Sequence, residues 1–377
     1  MIYLDYAATS FVKPKTVYKA VSDAMMYYSA NPGRGGHTPS AKAGEIVYET
    51  REKLSNFFHV NAPEQFSFFP NATAALNTGI KGVLHPGDHV VVSSMEHNSV
   101  ARPLESLRKQ GIITYSVVQG DTNGSLMPAD FLIAMKSNTR LVICTQASNV
   151  CGNVYDVQKI SHLVRKQGAL FMVDAAQSAG VLDINAQEID LLAFPGHKGL
   201  YGPQGSGCLY VREGLNLSTI MEGGTGSQSE QLMQPDEFPD RLESGTLNVP
   251  AIAGLGAAVD FISQVGIQTI YNHERELTEY FSEEMKNMKK IALYGNQNKV
   301  GVVALNIHGQ DCVDVAAELN DQFSIAVRSG LHCAPWAHKT IGTLETGCIR
   351  FSFGYFTTKK EVKKAIDAIF YIVKNSV

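Results

Sequence analysis

Seven short apolar runs recur between residues 65 and 211: QFSFF (65–69), DHVVVSS (88–94), ITYSVV (113–118), RLVICTQ (140–146), ALFMVD (169–174), IDLLAF (189–194) and GCLYV (207–211). Each is largely apolar rather than alternating with polar residues. That is the pattern of a strand covered on both faces. Between the runs lie stretches with helical spacing, such as ARPLESLRKQG and VQKISHLVRKQG, each ending in Gly. Strands alternating with helices in this way predict an α/β fold with a mostly parallel central sheet.

Beyond about residue 265 the texture changes. A charged helical stretch, NHERELTEYFSEEMKNMKK, leads into a strand (VGVVALNI), a helix (DCVDVAAELND), two strands (IAVRS and CIRFSFG) and a last helix (KKEVKKAIDAIFYIVKN). This predicts a smaller α+β domain. The expected division is a large domain over 13–262 and a small C-terminal domain over 263–377, with residues 1–12 packing on the small one. The Gly-, Gln- and Pro-rich stretch 221–241 reads as a long loop near the site.

With 377 residues and 44% hydrophobic content, the chain can bury a sizeable core. A net charge of -4 gives no electrostatic basis for binding nucleic acid or an anionic membrane. No apolar run reaches the roughly 20 residues of a membrane span, and Asp5 within MIYLDYAATS argues against a leader peptide. A cytoplasmic location is the expectation. The six cysteines form no C-x-x-C pair, so no metal set is read from them. Free thiols are expected, most of them small buried hydrophobes.

In open α/β sheets ligands sit beyond the carboxyl ends of the strands. Here Asn71-Ala72-Thr73 follow one strand and open a helix, whose free N–H groups suit a phosphate. His97, Asn149 and Asp174 follow three others, with Gln177 three residues past Asp174. His197-Lys198 lie in the glycine-rich stretch AFPGHKGLYGPQGSGCLYV. Taken singly, Asp174 is a helix cap, His97 a structural histidine and Lys198 a solvated turn lysine. Together, a buried acid, a flat imidazole, a phosphate-ready helix end and a lysine in a tight turn suit a phosphorylated, protonated aromatic aldehyde. That ligand is pyridoxal 5'-phosphate. A desolvated lysine can form its Schiff base.

At this point the motifs YLDYAAT, EHNS, VDAAQSAG, GHKGLYGPQG, SGT and RSGLHCA resemble the class V aminotransferase family of fold-type I pyridoxal-phosphate enzymes. Within it they are similar to the cysteine desulfurases whose cysteine sits in a short R-x-G-x-H-C-A loop. The resemblance covers nearly the whole chain. It implies that Lys198 carries the Schiff base, that Asp174 faces the pyridinium nitrogen, and that Gln177 faces the ring hydroxyl. It further implies that His97 stacks on the ring and moves protons, while Ala72, Thr73 and His197 hold the phosphate. Thr246, in SGTLN, reaches the phosphate of the other subunit of a homodimer. Asn149 and Arg350 address the substrate, and Arg350 grips its carboxylate. Cys333 accepts sulfur, and His332 beside it is a candidate for activating the thiol. Four positions depart from the family pattern. Pro195 replaces a hydroxyl donor to the phosphate, Tyr6 and Ala74 replace polar residues, and the proline after HCA is shifted to Pro335.

The implied reaction converts L-cysteine, or L-selenocysteine, to L-alanine, leaving a persulfide on Cys333 for a sulfur-acceptor protein. A second reading keeps the cofactor but leaves Cys333 idle, as in a selenocysteine lyase, a transaminase or another amino-acid lyase. A third, a nucleotide-binding protein without catalysis, lacks any G-x-G-x-x-G after a strand and explains neither Lys198 nor Asp174.

Overall fold

The computed structural model describes residues 1–33 and 35–375. A seven-stranded sheet has the order Phe66–Phe69, Gly207–Val211, Leu191–Pro195, Leu170–Asp174, Thr139–Thr145, His89–Ser93, Thr114–Val118. The five strands from Leu191–Pro195 outward to Thr114–Val118 are mutually parallel. Gly207–Val211 runs antiparallel to both of its neighbours. All seven runs read from the sequence are therefore strands of one mostly parallel sheet. Helices cover both faces, which is why the runs are apolar without alternation. In Leu170–Asp174, Phe171 and Val173 enter one core while Leu170 and Met172 enter another.

The antiparallel step places Lys198. The strand Leu191–Pro195 ends and the chain turns through residues 196–206 before returning as Gly207–Val211. Two glycines let this turn lie flat on its neighbour. A Cβ on Gly180, whose φ is +87°, would stand 2.3 Å from the Gly199 carbonyl oxygen, and one on Gly199 would stand 2.6 Å from that of Ala179.

A second, antiparallel sheet has the order Arg328–Gly330, Cys348–Ser352, Val302–Ile307, Ile291–Tyr294. It has its own core, with Phe281 from the helix Ile267–Lys286 and Ile366 and Ile369 from the helix Lys359–Asn375. The N-terminal strand Ile2–Tyr3 pairs in parallel with Ile325–Ala326, and Asp5 bridges to Ser352. The run IAVRS is thus not one strand. Its first half pairs with the N-terminus and its second half with Cys348–Ser352.

The helix Val249–Val265 packs against both Lys15–Tyr27 and Thr38–Phe57. Among the described residues, no single helix is long and apolar enough to cross a membrane. Residues 221–241 form no strand or helix, as read. None of them lines the cavity around Lys198. They fold back on neighbouring chain, with Arg241 donating to the Leu217 carbonyl at 2.7 Å.

Candidate active site

The carboxyl ends of the parallel strands and the Lys198 turn frame a cavity lined by Ala72, Thr73, His97, Asn149, Asp174, Gln177, His197 and Lys198. Asp174, the last residue of its strand, is buried. One carboxylate oxygen accepts the Ala176 N–H at 2.9 Å across a turn; no helix begins here, so Asp174 is not a helix cap. Burial raises its pKa, while the Ala176 N–H and the Lys198 charge oppose the rise. Lys198 lies across from it. Desolvation draws its amine down to about 8, against the upward pull of Asp174. That leaves a far larger neutral fraction at physiological pH than an ordinary lysine has.

His97 caps the helix Asn98–Lys109. Its Nδ1 accepts the Ser99 N–H at 3.0 Å and lies 2.9 Å from the Ser99 hydroxyl. Burial first, and then the charges of Lys198, Arg328, Arg102 and Arg350, push it down to about 4. The ring is therefore neutral, with Nδ1 as acceptor and the proton on Nε2. His197 is held similarly, with Nδ1 3.0 Å from the Thr9 hydroxyl and its pKa lowered to about 4, chiefly by burial. Its carbonyl accepts from the Ser10 N–H at 2.9 Å.

The helix Ala72–Val83 begins at the cavity. Asn71 caps it through Ala74 N–H at 2.9 Å. Among the described residues, the N–H groups of Ala72 and Thr73 take no protein partner. The Thr73 hydroxyl is 2.7 Å from that of Ser99. Two open N–H groups, a hydroxyl pair and a helix dipole form an anion cradle. Pro195 lines the cavity and offers it no donor. Gln177 donates to the Ala7 carbonyl at 3.0 Å.

The small sheet brings in Arg350, only 2% exposed. One terminal nitrogen donates to the Asn149 carbonyl at 2.8 Å and the other to Asp5 at 2.7 Å, while Nε has no partner. Asn149 donates in turn to the His332 carbonyl at 2.7 Å, and Asn98 N–H donates to the Cys333 carbonyl at 2.7 Å. The turn bearing Cys333 is thus pinned to the residues that flank the cavity. His332 and Cys333 both adopt left-handed φ values, 48° and 55°, a strained pair for non-glycine residues. Cys333 is exposed, whereas the other five cysteines are buried.

One expectation is revised. His332 does not activate Cys333, because its ring is buried and engaged with His338 (3.2 Å) and the Arg328 carbonyl (3.3 Å). Burial holds it neutral, far below the ordinary imidazole range. Thr246 is exposed and does not reach the cavity of its own chain; it lines a separate concavity with Gly205 and Ser206. The reading also missed Thr9, Ser10, Ser99 and Asp5. Glu96 was missed as well. It is fully buried behind His97, accepts from Thr145 N–H at 2.7 Å, and is raised to about 8 by burial. Asp5 and Glu96 lie inside quoted motifs, but Arg350, the partner of Asp5, and Thr145, one partner of Glu96, are remote in sequence.

An α/β enzyme with one desolvated lysine facing a buried carboxylate, beside an anion cradle, belongs to the class that uses lysine to hold an aldehyde-type cofactor. The aminotransferase class-V family model matches residues 2–365, and the chain belongs to that family, which acts with pyridoxal phosphate. The chain is 37% identical over 371 residues to a probable cysteine desulfurase of Methanothermobacter thermautotrophicus, covering 96% of this chain and 92% of that one. It is 35% identical over 345 residues to a cysteine desulfurase of Dickeya dadantii, covering 89% and 83%. Among solved structures, the apo cysteine desulfurase of Thermococcus onnurineus superposes with a TM-score of 0.94 at 32% identity, covering 100% of this chain and 95% of that one. The desulfurase CsdA of Escherichia coli, solved with an S-sulfonic acid, gives 0.90 at 25% identity, with coverage of 100% and 95%.

Proposed function

We propose that this protein is a cysteine desulfurase that holds pyridoxal phosphate at Lys198, converts L-cysteine to L-alanine and carries the sulfur on Cys333. The observation that carries the reading is the exposed Cys333, pinned at both carbonyls of its turn to the residues around the Lys198 cavity. The donor set fits the cofactor. The open N–H groups of Ala72 and Thr73 match a phosphate, Asp174 matches a protonated ring nitrogen, and His97 offers a flat neutral ring. When bound, the cofactor supplies an electron sink for charge developed at the substrate carbons.

This chain's own residues do the rest. Arg350 takes the substrate carboxylate by turning a guanidinium nitrogen away from the Asn149 carbonyl or Asp5, because its unpartnered Nε is buried. Lys198, lowered toward neutrality, accepts the Cα proton. Cys333 attacks the substrate sulfur as thiolate. The new S–S bond forms as the S–Cβ bond breaks, and the electron pair of that bond stays with Cβ. Protonation of Cβ then gives alanine. Cysteine plus the Cys333 thiol therefore yields alanine plus a Cys333 persulfide, with no outside oxidant. Thr246 completes the phosphate site of a second copy in a homodimer, and an acceptor protein removes the sulfur from the exposed turn. The test is Cys333→Ala, which should keep the yellow cofactor but lose alanine release from L-cysteine. Wild-type alanine release would show that Cys333 is not the acceptor.

A further inference from the structure

Behind the Cys333 turn lies a buried cluster that the reaction does not use. His332 Nδ1, His338 Nε2 and Cys348 Sγ lie within 4.8 Å of one another, and it is the one such group among the described residues. We infer that these three side chains form a binding site for a thiophilic cation, Zn²⁺ or Cu⁺.

The donor spacing is the first support. The two nitrogens are 3.2 Å apart and Cys348 Sγ is 3.9 Å from His332 Nδ1. A tetrahedral zinc with ordinary bond lengths sets these edges at about 3.3 and about 3.6 Å, so these two edges lie within tenths of an ångström of a chelate, and the third, His338 Nε2 to Cys348 Sγ, is within 4.8 Å. The second support is the outer partner of each ring. His332 Nε2 faces the Arg328 carbonyl at 3.3 Å, and His338 Nδ1 faces the Thr343 hydroxyl at 2.7 Å. Metal-ligating histidines characteristically fix their other nitrogen in this way, which aims the free lone pair inward. The third is composition, since two imidazoles and a thiol suit soft and borderline ions rather than Mg²⁺ or Ca²⁺.

Without an ion, the nitrogens satisfy each other. His332 Nε2–H donates to Arg328, so His332 Nδ1 accepts from His338 Nε2–H. Binding moves the His338 proton to Nδ1, where the Thr343 hydroxyl accepts it. It also releases the Cys348 thiol proton to solvent as the metal–sulfur bond forms. The ligands come from the Cys333 turn, the short helix Pro335–Thr340 and the strand Cys348–Ser352. A bound ion therefore staples the turn to the small sheet. This inference does not depend on Cys333 being the sulfur acceptor.

The test uses chelator-treated holoenzyme carrying Cys333→Ser, so that the exposed thiol does not compete. Zn²⁺ and, anaerobically, Cu⁺ are added in separate arms. Metal retained after gel filtration is counted, and the thermal midpoint is followed against ion concentration. One equivalent of at least one ion should remain and raise the midpoint. Adding Cys348→Ala, or His338→Asn where the first variant fails to fold, should weaken retention at least about tenfold. Retention of neither ion, or retention unchanged by the added substitution, overturns the site.

Discussion

Replacing Arg350 with lysine tests the substrate grip. The native guanidinium is buried and divides its donors: one nitrogen to the Asn149 carbonyl, one to Asp5, and Nε buried without a partner. A lysine ammonium keeps the charge but is a single point with no fork. It can satisfy Asp5 or the substrate carboxylate well, not both. Each hydrogen bond to a charged group contributes about 1.5–3 kcal/mol. Loss of one such contact to the substrate, at 1.4 kcal/mol per decade, weakens binding roughly 10- to 150-fold. The assay is alanine release against L-cysteine concentration, resolving KM from kcat, with a thermal melt to confirm folding. KM should rise by that factor, with kcat changing much less. A folded variant whose KM stays within about twofold of wild type, under about 0.4 kcal/mol, would refute the assignment of Arg350 as the carboxylate clamp.

Three further outcomes follow from the same geometry. Lys198→Ala should purify colourless and release no alanine, and borohydride reduction of the wild type should label Lys198 alone. In cofactor-free protein the Lys198 amine sits at about 8 rather than 10.5, and only its neutral form is nucleophilic. Capture of pyridoxal phosphate should therefore accelerate with pH up to about 8 and level off above it; a rate still climbing near the ordinary lysine value would contradict the shift. Thr246→Val should loosen cofactor retention although Thr246 lies outside its own chain's cavity, and sedimentation should show a dimer; a fully active monomer would contradict the shared site.

The central sheet was legible because its strands are covered on both faces, so each left an unbroken apolar signature. The split of IAVRS was not, because pairing of Ile325–Ala326 with the N-terminus and of Arg328–Gly330 with Cys348–Ser352 depends on contacts far away in sequence. The helix Val249–Val265 carries apolar residues on nearly every side and gives a weak periodic signal. In the site, Lys198, Asp174 and the helix after Asn71 could be placed from strand ends alone. The Asp5–Arg350 pair spans 345 positions, and no local pattern announces it. The direction of His332 likewise became readable only once His338 and the Arg328 carbonyl were in place beside it.

The most direct measurement follows the sulfur itself. The purified holoenzyme is given L-cysteine for a single turnover without reductant, trapped with an alkylating agent, digested and mapped by mass. The peptide containing Cys333 should carry the added mass of one sulfur atom, in step with one alanine released per active site. Alanine formed with the extra sulfur on another cysteine, or on none, would contradict the account.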